Sequence, residues 1–221
     1  MINIKKMNEP MTNVTRIVEP EISGIFPTPI YVSHMDRAFT NDEMNIFNTA
    51  EKTTVPNAGN ITSANNYILN EPGLEGVRNI LTAHVAEFIK RIYAPKYQMV
   101  PHITQSWTNY TKENQYHHSH EHPNSFISGV LYINANDEHD KITFQKKGYQ
   151  QIKPVSTEFN WYNSESWFYT VRTGMIVLFP SGTTHMVENK GGDNTRISLA
   201  FNTFFKGIMG ENQQLTELII E

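Results

Sequence analysis

The sequence predicts a β sandwich or barrel with helices packed on one side, and three observations carry that prediction. From residue 101 onward the 221-residue chain breaks into seven short runs rich in β-branched and aromatic residues, separated by turn residues. Ahead of them lies one long stretch, 74–93, whose apolar residues recur at helical spacing. The chain is 38% hydrophobic and 11% aromatic, enough for one substantial core, and its length suits a single domain.

In chain order, residues 1–24 are polar and weakly patterned, with Pro10, Pro20 and Gly24 interrupting any regular element, and are expected to form a flexible leader. Residues 25–221 are expected to form the domain. The run FPTPIYVSHM begins it, and its flanking prolines suit an edge strand. Thr40 and Glu43, three apart, form a capping-box pattern that predicts a helix over about 40–52. Residues 54–72 contain Asn, Gly and Pro and read as loop. Leu74, Val77, Ile80, Leu81, Val85, Phe88, Ile89 and Ile92 then share one face of a helix over about 74–93, which Pro95 ends. That face needs a partner, most simply the outer surface of a sheet. The candidate strands are 103–111, 126–135, 141–145, 152–158, 167–172, 175–179 and 195–205. The 54–72 and 146–166 segments are candidates to cover the mouth of a barrel.

Composition excludes several functions. The chain has no cysteine, so disulfide scaffolds, thiolate metal sites and cysteine nucleophiles are ruled out. A net charge of −4 argues against a nucleic-acid partner. No stretch approaches the roughly 20 apolar residues of a membrane helix, and the opening MINIKKMNEP lacks the apolar centre of a signal peptide, so a cytoplasmic protein is expected.

The nine histidines are unevenly spread, and four fall within six residues, in QYHHSHEHPNS. In an extended segment His118, His120 and His122 alternate onto one side, so two of them can meet one ion. A third ligand must come from elsewhere, and His185 in LFPSGTTHMV is the evident supplier. A His-rich surface loop would read the same way in isolation. His34-x-Asp36 has the shape of a metal pair but ends an edge strand, while His84, His102 and His139 read as structural or solvent-facing. Beyond His185, the run TRISLAF places Arg196 and Ser198 on one face and Ile197 and Leu199 on the other. If the arginine face points inward, a guanidinium sits inside the barrel, which is costly unless it meets an anion. Trp107 and Asn109 alternate onto one face of SWTNYT, as pocket lining or as ordinary core.

The stretches FPTPIYV, SWTNYT, HEHPNSFISGVLYI, GMIVLFPSGTTHMV and TRISLAFNTFFKG together resemble the Fe(II)/2-oxoglutarate-dependent oxygenases, and within them the group common in marine bacteria and their phages. The resemblance spans 26 to about 207. It implies a mainly β double-stranded β-helix, a jelly-roll or cupin-like fold, with the long helix packed on the outer sheet. It also implies the cofactors Fe(II), 2-oxoglutarate and O2. His120 matches the first metal ligand and His185 the distal one, while His122 stands where the usual motif has Asp; His118 is the alternative if the register shifts by two. Arg196 and Ser198 match the Arg-x-Ser pair that grips the distal carboxylate of 2-oxoglutarate, Tyr132 matches a tyrosine directed at the same group, and Asn109 is a further candidate contact. The activity implied is hydroxylation of a small molecule or protein side chain, with succinate and CO2 as co-products. A three-histidine cupin-type dioxygenase that needs no 2-oxoglutarate and a non-enzymatic jelly-roll binding or virion protein are the competing classes.

Overall fold

The structure is a computed structural model that describes residues 18–148, 152 and 154–221. Residues 18–30 carry no regular element, and the remainder of the expected leader lies outside the described residues. The strand begun by the FPTPIYV run starts only at β1 (Tyr31–His34). Helix α1 (Asn41–Ala50) follows, with the predicted box present in full: the Thr40 hydroxyl accepts from the Glu43 N–H, and the Glu43 carboxylate accepts from the Thr40 N–H at 2.8 Å. Arg37 binds the same carboxylate at 2.6 Å.

The 54–72 segment, expected to be loop, contains a hairpin, β2 (Thr54–Asn57) and β3 (Asn60–Ser63). Its β-branched residues pair across a two-residue turn, Ala58-Gly59, where Gly59 takes φ +91°. A Cβ there would also meet the Tyr116 carbonyl and ring at 2.6–2.8 Å. A 3-10 turn at Ile68–Asn70 then buries Ile68 and Leu69. Helix α2 (Glu75–Ile92) comes next and buries Val77, Leu81, Val85, Phe88 and Ile89, as the spacing predicts.

The remaining strands are β4 (Met99–Thr111), β5 (His117–His120), β6 (Ile127–Asn134), β7 (Lys141–Gln145), β8 (Ser166–Thr170), β9 (Met175–Pro180), β10 (His185–Val187), β11 (Arg196–Met209) and β12 (Leu218–Ile220). The strand expected over 152–158 does not form among the described residues there. Pro154 has no N–H to donate, and Ile152 and Val155 are 87% and 100% exposed, so no sheet receives them.

Two antiparallel sheets result. The larger runs β1-β9-β6-β11-β4-β3-β2, with β12 paired to the far end of β11; the smaller runs β5-β10-β7-β8. The alternation of the long strands divides the core in two. Ile197, Leu199 and Phe201 of β11, Ile127, Leu131 and Ile133 of β6, and Ile176 and Leu178 of β9 pack with the buried face of α2. The opposite residues, Tyr132, Met175, Val177 and Phe179, face Ile142 and Phe144 of the smaller sheet. This is the expected mainly β jelly-roll with its long helix on the outer sheet. No helix among the described residues is long and apolar enough to cross a membrane.

Candidate metal and cosubstrate site

Strand pairing brings the distant histidines together. His185 opens β10 and lies directly across from His120 of β5, while the His122 N–H donates to the Ser181 carbonyl at 3.0 Å, tying the segment after β5 to the turn after β9. The candidate ligand nitrogens of His120, His122 and His185 all lie within 4.8 Å of one another. His185 is 5% exposed, packed on Phe179 and Phe144.

Backbone carbonyls set two of the tautomers. A carbonyl oxygen only accepts, so Nδ1 of His120, 2.7 Å from the His118 carbonyl, carries its proton, as does Nδ1 of His185, 3.0 Å from the Thr183 carbonyl. Both rings therefore present a bare Nε2, the arrangement that orients metal-binding imidazoles. Burial lowers the pKa of all three, to about 4 for His122 and about 3 for His185, with the neighbouring imidazoles adding to the effect. Neutral imidazole is the ligating form.

The alternation that made His118 and His120 equivalent on paper is interrupted in the fold. His185 pairs with His120 but Val187 pairs with His117, so β5 carries one extra residue against β10. That bulge turns His117 to the side of His120 and leaves His118 exposed. His117 stacks on His120 with centroids 4.5 Å apart and lines the same cavity. His117 carries no sequence signal for this position, because an ideal strand points it away from His118 and His120. Ring nitrogens of a second group, His117, His118 and His120, also lie within 4.8 Å of one another. In it, however, His117 Nε2 sits 3.3 Å from the side-chain nitrogen of Asn57. Glu121 is turned out to Lys147 at 3.0 Å and supplies no carboxylate to the triad. His34 takes a hydrogen bond from Arg172 at 3.1 Å, and His84 lies 2.8 Å from the Tyr31 hydroxyl, so both have structural partners.

One cavity connects the triad to β11. Trp107, Asn109, His117, Tyr132, Arg196 and Ser198 line it along with the three histidines. Arg196 points inward and is 2% exposed. Among the described residues its one side-chain hydrogen bond runs from a terminal nitrogen to the Thr111 hydroxyl at 3.2 Å, and its buried Nε and other terminal nitrogen meet no partner there. Burial lowers its pKa, with Tyr132 and Asp140 opposing that shift. Ser198, Asn109 and Tyr132 are buried beside it; Asn109 Oδ1 is likewise unpartnered, and burial raises the Tyr132 pKa. A buried guanidinium with two orphaned donors costs several kcal/mol unless an anion completes it. Its fork suits a carboxylate.

Residues 105–202, which contain all of these side chains, match a protein-family model described as "Putative 2OG-Fe(II) oxygenase". Over that stretch the chain is similar to the 2OG-Fe(II) oxygenases. Solved structures share the fold. A 2OG-Fe(II) oxygenase-family oxidoreductase from Burkholderia pseudomallei is 13% identical with TM-score 0.54, covering 79% of this chain and 83% of that one. HygX from Streptomyces hygroscopicus, solved with nickel, 2-oxoglutarate and hygromycin B bound, is 11% identical with TM-score 0.52, covering 80% and 82%. SnoK, an alpha-ketoglutarate-dependent carbocyclase from nogalamycin biosynthesis, is 12% identical with TM-score 0.51, covering 80% and 81%. No curated protein matches the sequence.

Proposed function

We propose that this protein is an Fe(II)- and 2-oxoglutarate-dependent dioxygenase that hydroxylates a small molecule or a protein side chain and releases succinate and CO2. The observation that carries the proposal is Arg196: a buried cation with two unpartnered donors, in the same cavity as three convergent neutral imidazoles. His120, His122 and His185 would hold the iron, the first and third through Nε2. Bound iron supplies the activation of dioxygen that is coupled to decarboxylation of the 2-oxo acid.

The chain's own residues bind and orient. Arg196 takes the distal carboxylate in a charge-assisted fork, Ser198 and Tyr132 offer hydroxyls beside it, and Asn109 offers its side-chain amide. Trp107, Val130, Ile142 and Ala200 form apolar cavity wall and exclude water from the reacting end. The carbonyls of His118 and Thr183 hold the Nδ1 protons of two ligands, so those rings cannot turn their protonated edge to the metal. An imidazole in place of the usual carboxylate leaves one more positive charge at the centre, which favours an anionic chelating cosubstrate. An inward arginine has no role in a three-histidine dioxygenase that dispenses with 2-oxoglutarate, so Arg196 separates that class from this one. The net charge of −4 supports a substrate other than nucleic acid.

The test is succinate release in air from Fe(II)-loaded protein and 2-oxoglutarate without added substrate. Slow succinate production that vanishes in His185→Ala is expected. No succinate above a protein-free control, across several preparations that retain iron, contradicts the proposal.

A further inference from the structure

The β2–β3 hairpin lies outside the cavity, yet a single chain of hydrogen bonds runs from its turn to both ends of the site. Its direction is set by a backbone group. The Ala58 N–H donates to Asn57 Oδ1 at 2.9 Å, which fixes the Asn57 amide with its nitrogen facing the fold. That nitrogen lies 3.0 Å from Asn60 Oδ1 and 3.3 Å from His117 Nε2. Asn60 Oδ1 is thereby occupied as an acceptor, so its own nitrogen donates to the Thr111 hydroxyl at 3.2 Å. The Thr111 oxygen also accepts from Arg196 at 3.2 Å, directly across the β4–β11 ladder. Asn60 and Thr111 are buried, so these bonds are shielded from competing water.

Two consequences follow from that polarity. Thr111, engaged by Asn60, takes one edge of the guanidinium and leaves Nε and the other terminal nitrogen free for a ligand. His117 receives a donor at Nε2, so that nitrogen's lone pair is occupied and Nδ1 carries the ring proton. Neither nitrogen of His117 is then available to a metal, although the ring stacks on His120.

We propose that Asn57 and Asn60 are positioning residues, joined through Thr111 in one hydrogen-bonded chain that aims Arg196 at the distal carboxylate of the cosubstrate and keeps His117 out of the metal's coordination. The inference rests on the 2-oxoglutarate reading above and deepens it. A sequence pattern gives no hint of it, because the hairpin reads as loop and its asparagines as turn residues.

The experiment compares the anaerobic binding of 2-oxoglutarate and of pyruvate, which lacks the distal carboxylate, to the Fe(II)-loaded protein. Thr111→Val keeps the shape and removes the shared acceptor. It should weaken 2-oxoglutarate about tenfold, the loss of roughly one well-placed hydrogen bond, and leave pyruvate unchanged. Thr111→Ser should restore the wild-type preference. Asn57→Ala, at the half-exposed turn where folding is tolerant, should reproduce the selective loss. Equal weakening of both acids in either variant, or no change in either variant, overturns the positioning role. His117→Ala should leave Fe(II) affinity within about twofold; a loss like that of His185→Ala overturns the exclusion of His117. Wild-type protein that binds no 2-oxoglutarate would instead sink the underlying function, so the two failures are distinct.

Discussion

The two faces of β11 are one strand with opposite physical characters. Toward α2 it presents Ile197, Leu199 and Phe201, all buried among aliphatic and aromatic neighbours. Toward the smaller sheet it presents Arg196, Ser198 and Ala200, and there the guanidinium is short of two partners. The outer face has the composition of a core that stabilises. The inner face has the composition expected of a binding site, where unmet polar groups lower stability. Residues one position apart should therefore respond to substitution in opposite ways.

The largest effect should come from the outer face. Leu199→Ala removes a fully buried side chain from the helix-facing core and should cost about 2–5 kcal/mol of unfolding free energy. Fe(II) affinity of the folded fraction should stay unchanged; denaturant titration and metal titration measured together give the answer. Loss of metal affinity in parallel with stability would erase the distinction between the faces.

Arg196→Met sharpens the comparison from the other side. It keeps volume and removes a buried charge with unpaired donors, so it should raise stability in the absence of ligand by about 1–4 kcal/mol. At roughly 2–4 °C per kcal/mol for a chain of this size, that is a readily measured rise in Tm. The same variant should lose about 100-fold or more in 2-oxoglutarate affinity, since charge-assisted pairs are among the stronger hydrogen bonds. A fall in Tm would mean that Arg196 serves the fold.

Gly129 tests how tightly the outer face is packed. It is in β6, and a Cβ there would clash with the rings and methyls of Phe201 and Leu178. Gly129→Ala should cost about 1–3 kcal/mol by overpacking, with the metal site intact.

The smallest effect lies at the start of α1. The Arg37 guanidinium, aided by the Thr40 N–H, holds the Glu43 carboxylate below its ordinary pKa of 4.5 against the opposing effect of burial. A depressed carboxylate pKa stabilises the fold above the unfolded value, and that contribution is lost as pH falls through the folded one. Glu43→Gln should thus cost about 1 kcal/mol at neutral pH. Wild-type and variant stabilities should converge in acid; a gap that persists there would assign the effect to packing.

The parts of the molecule legible in the sequence are those governed by local periodicity. The α2 face, the Thr40–Glu43 box and the alternation of TRISLAF are repeats or spacings that any observer of the chain can measure. The inward direction of Arg196 is different in kind, because alternation fixes which residues share a face and leaves open which face is inside. The sheets decide that, by placing Ile197 and Leu199 against α2. The different exposure of His118 and His120 follows from the bulge in β5, which appears only when β10 pairs with it. The hairpin at 54–63 was hidden because its strands are four residues each and its turn residues dominate the composition. The strand expected over 152–158 is the converse case, a run of suitable residues to which the fold offers no partner.

The central claim is that the inner face of β11 and the three histidines form one site for a metal-chelating dicarboxylate. Anaerobic titration of 2-oxoglutarate into Fe(II)-loaded protein tests it most directly, by the visible metal-to-ligand charge-transfer band that chelation produces. The account predicts a saturable band in the wild type, its loss in His185→Ala, and a shift of at least 100-fold to higher 2-oxoglutarate in Arg196→Met. Iron-loaded wild-type protein that shows no band at any concentration of 2-oxoglutarate would contradict it.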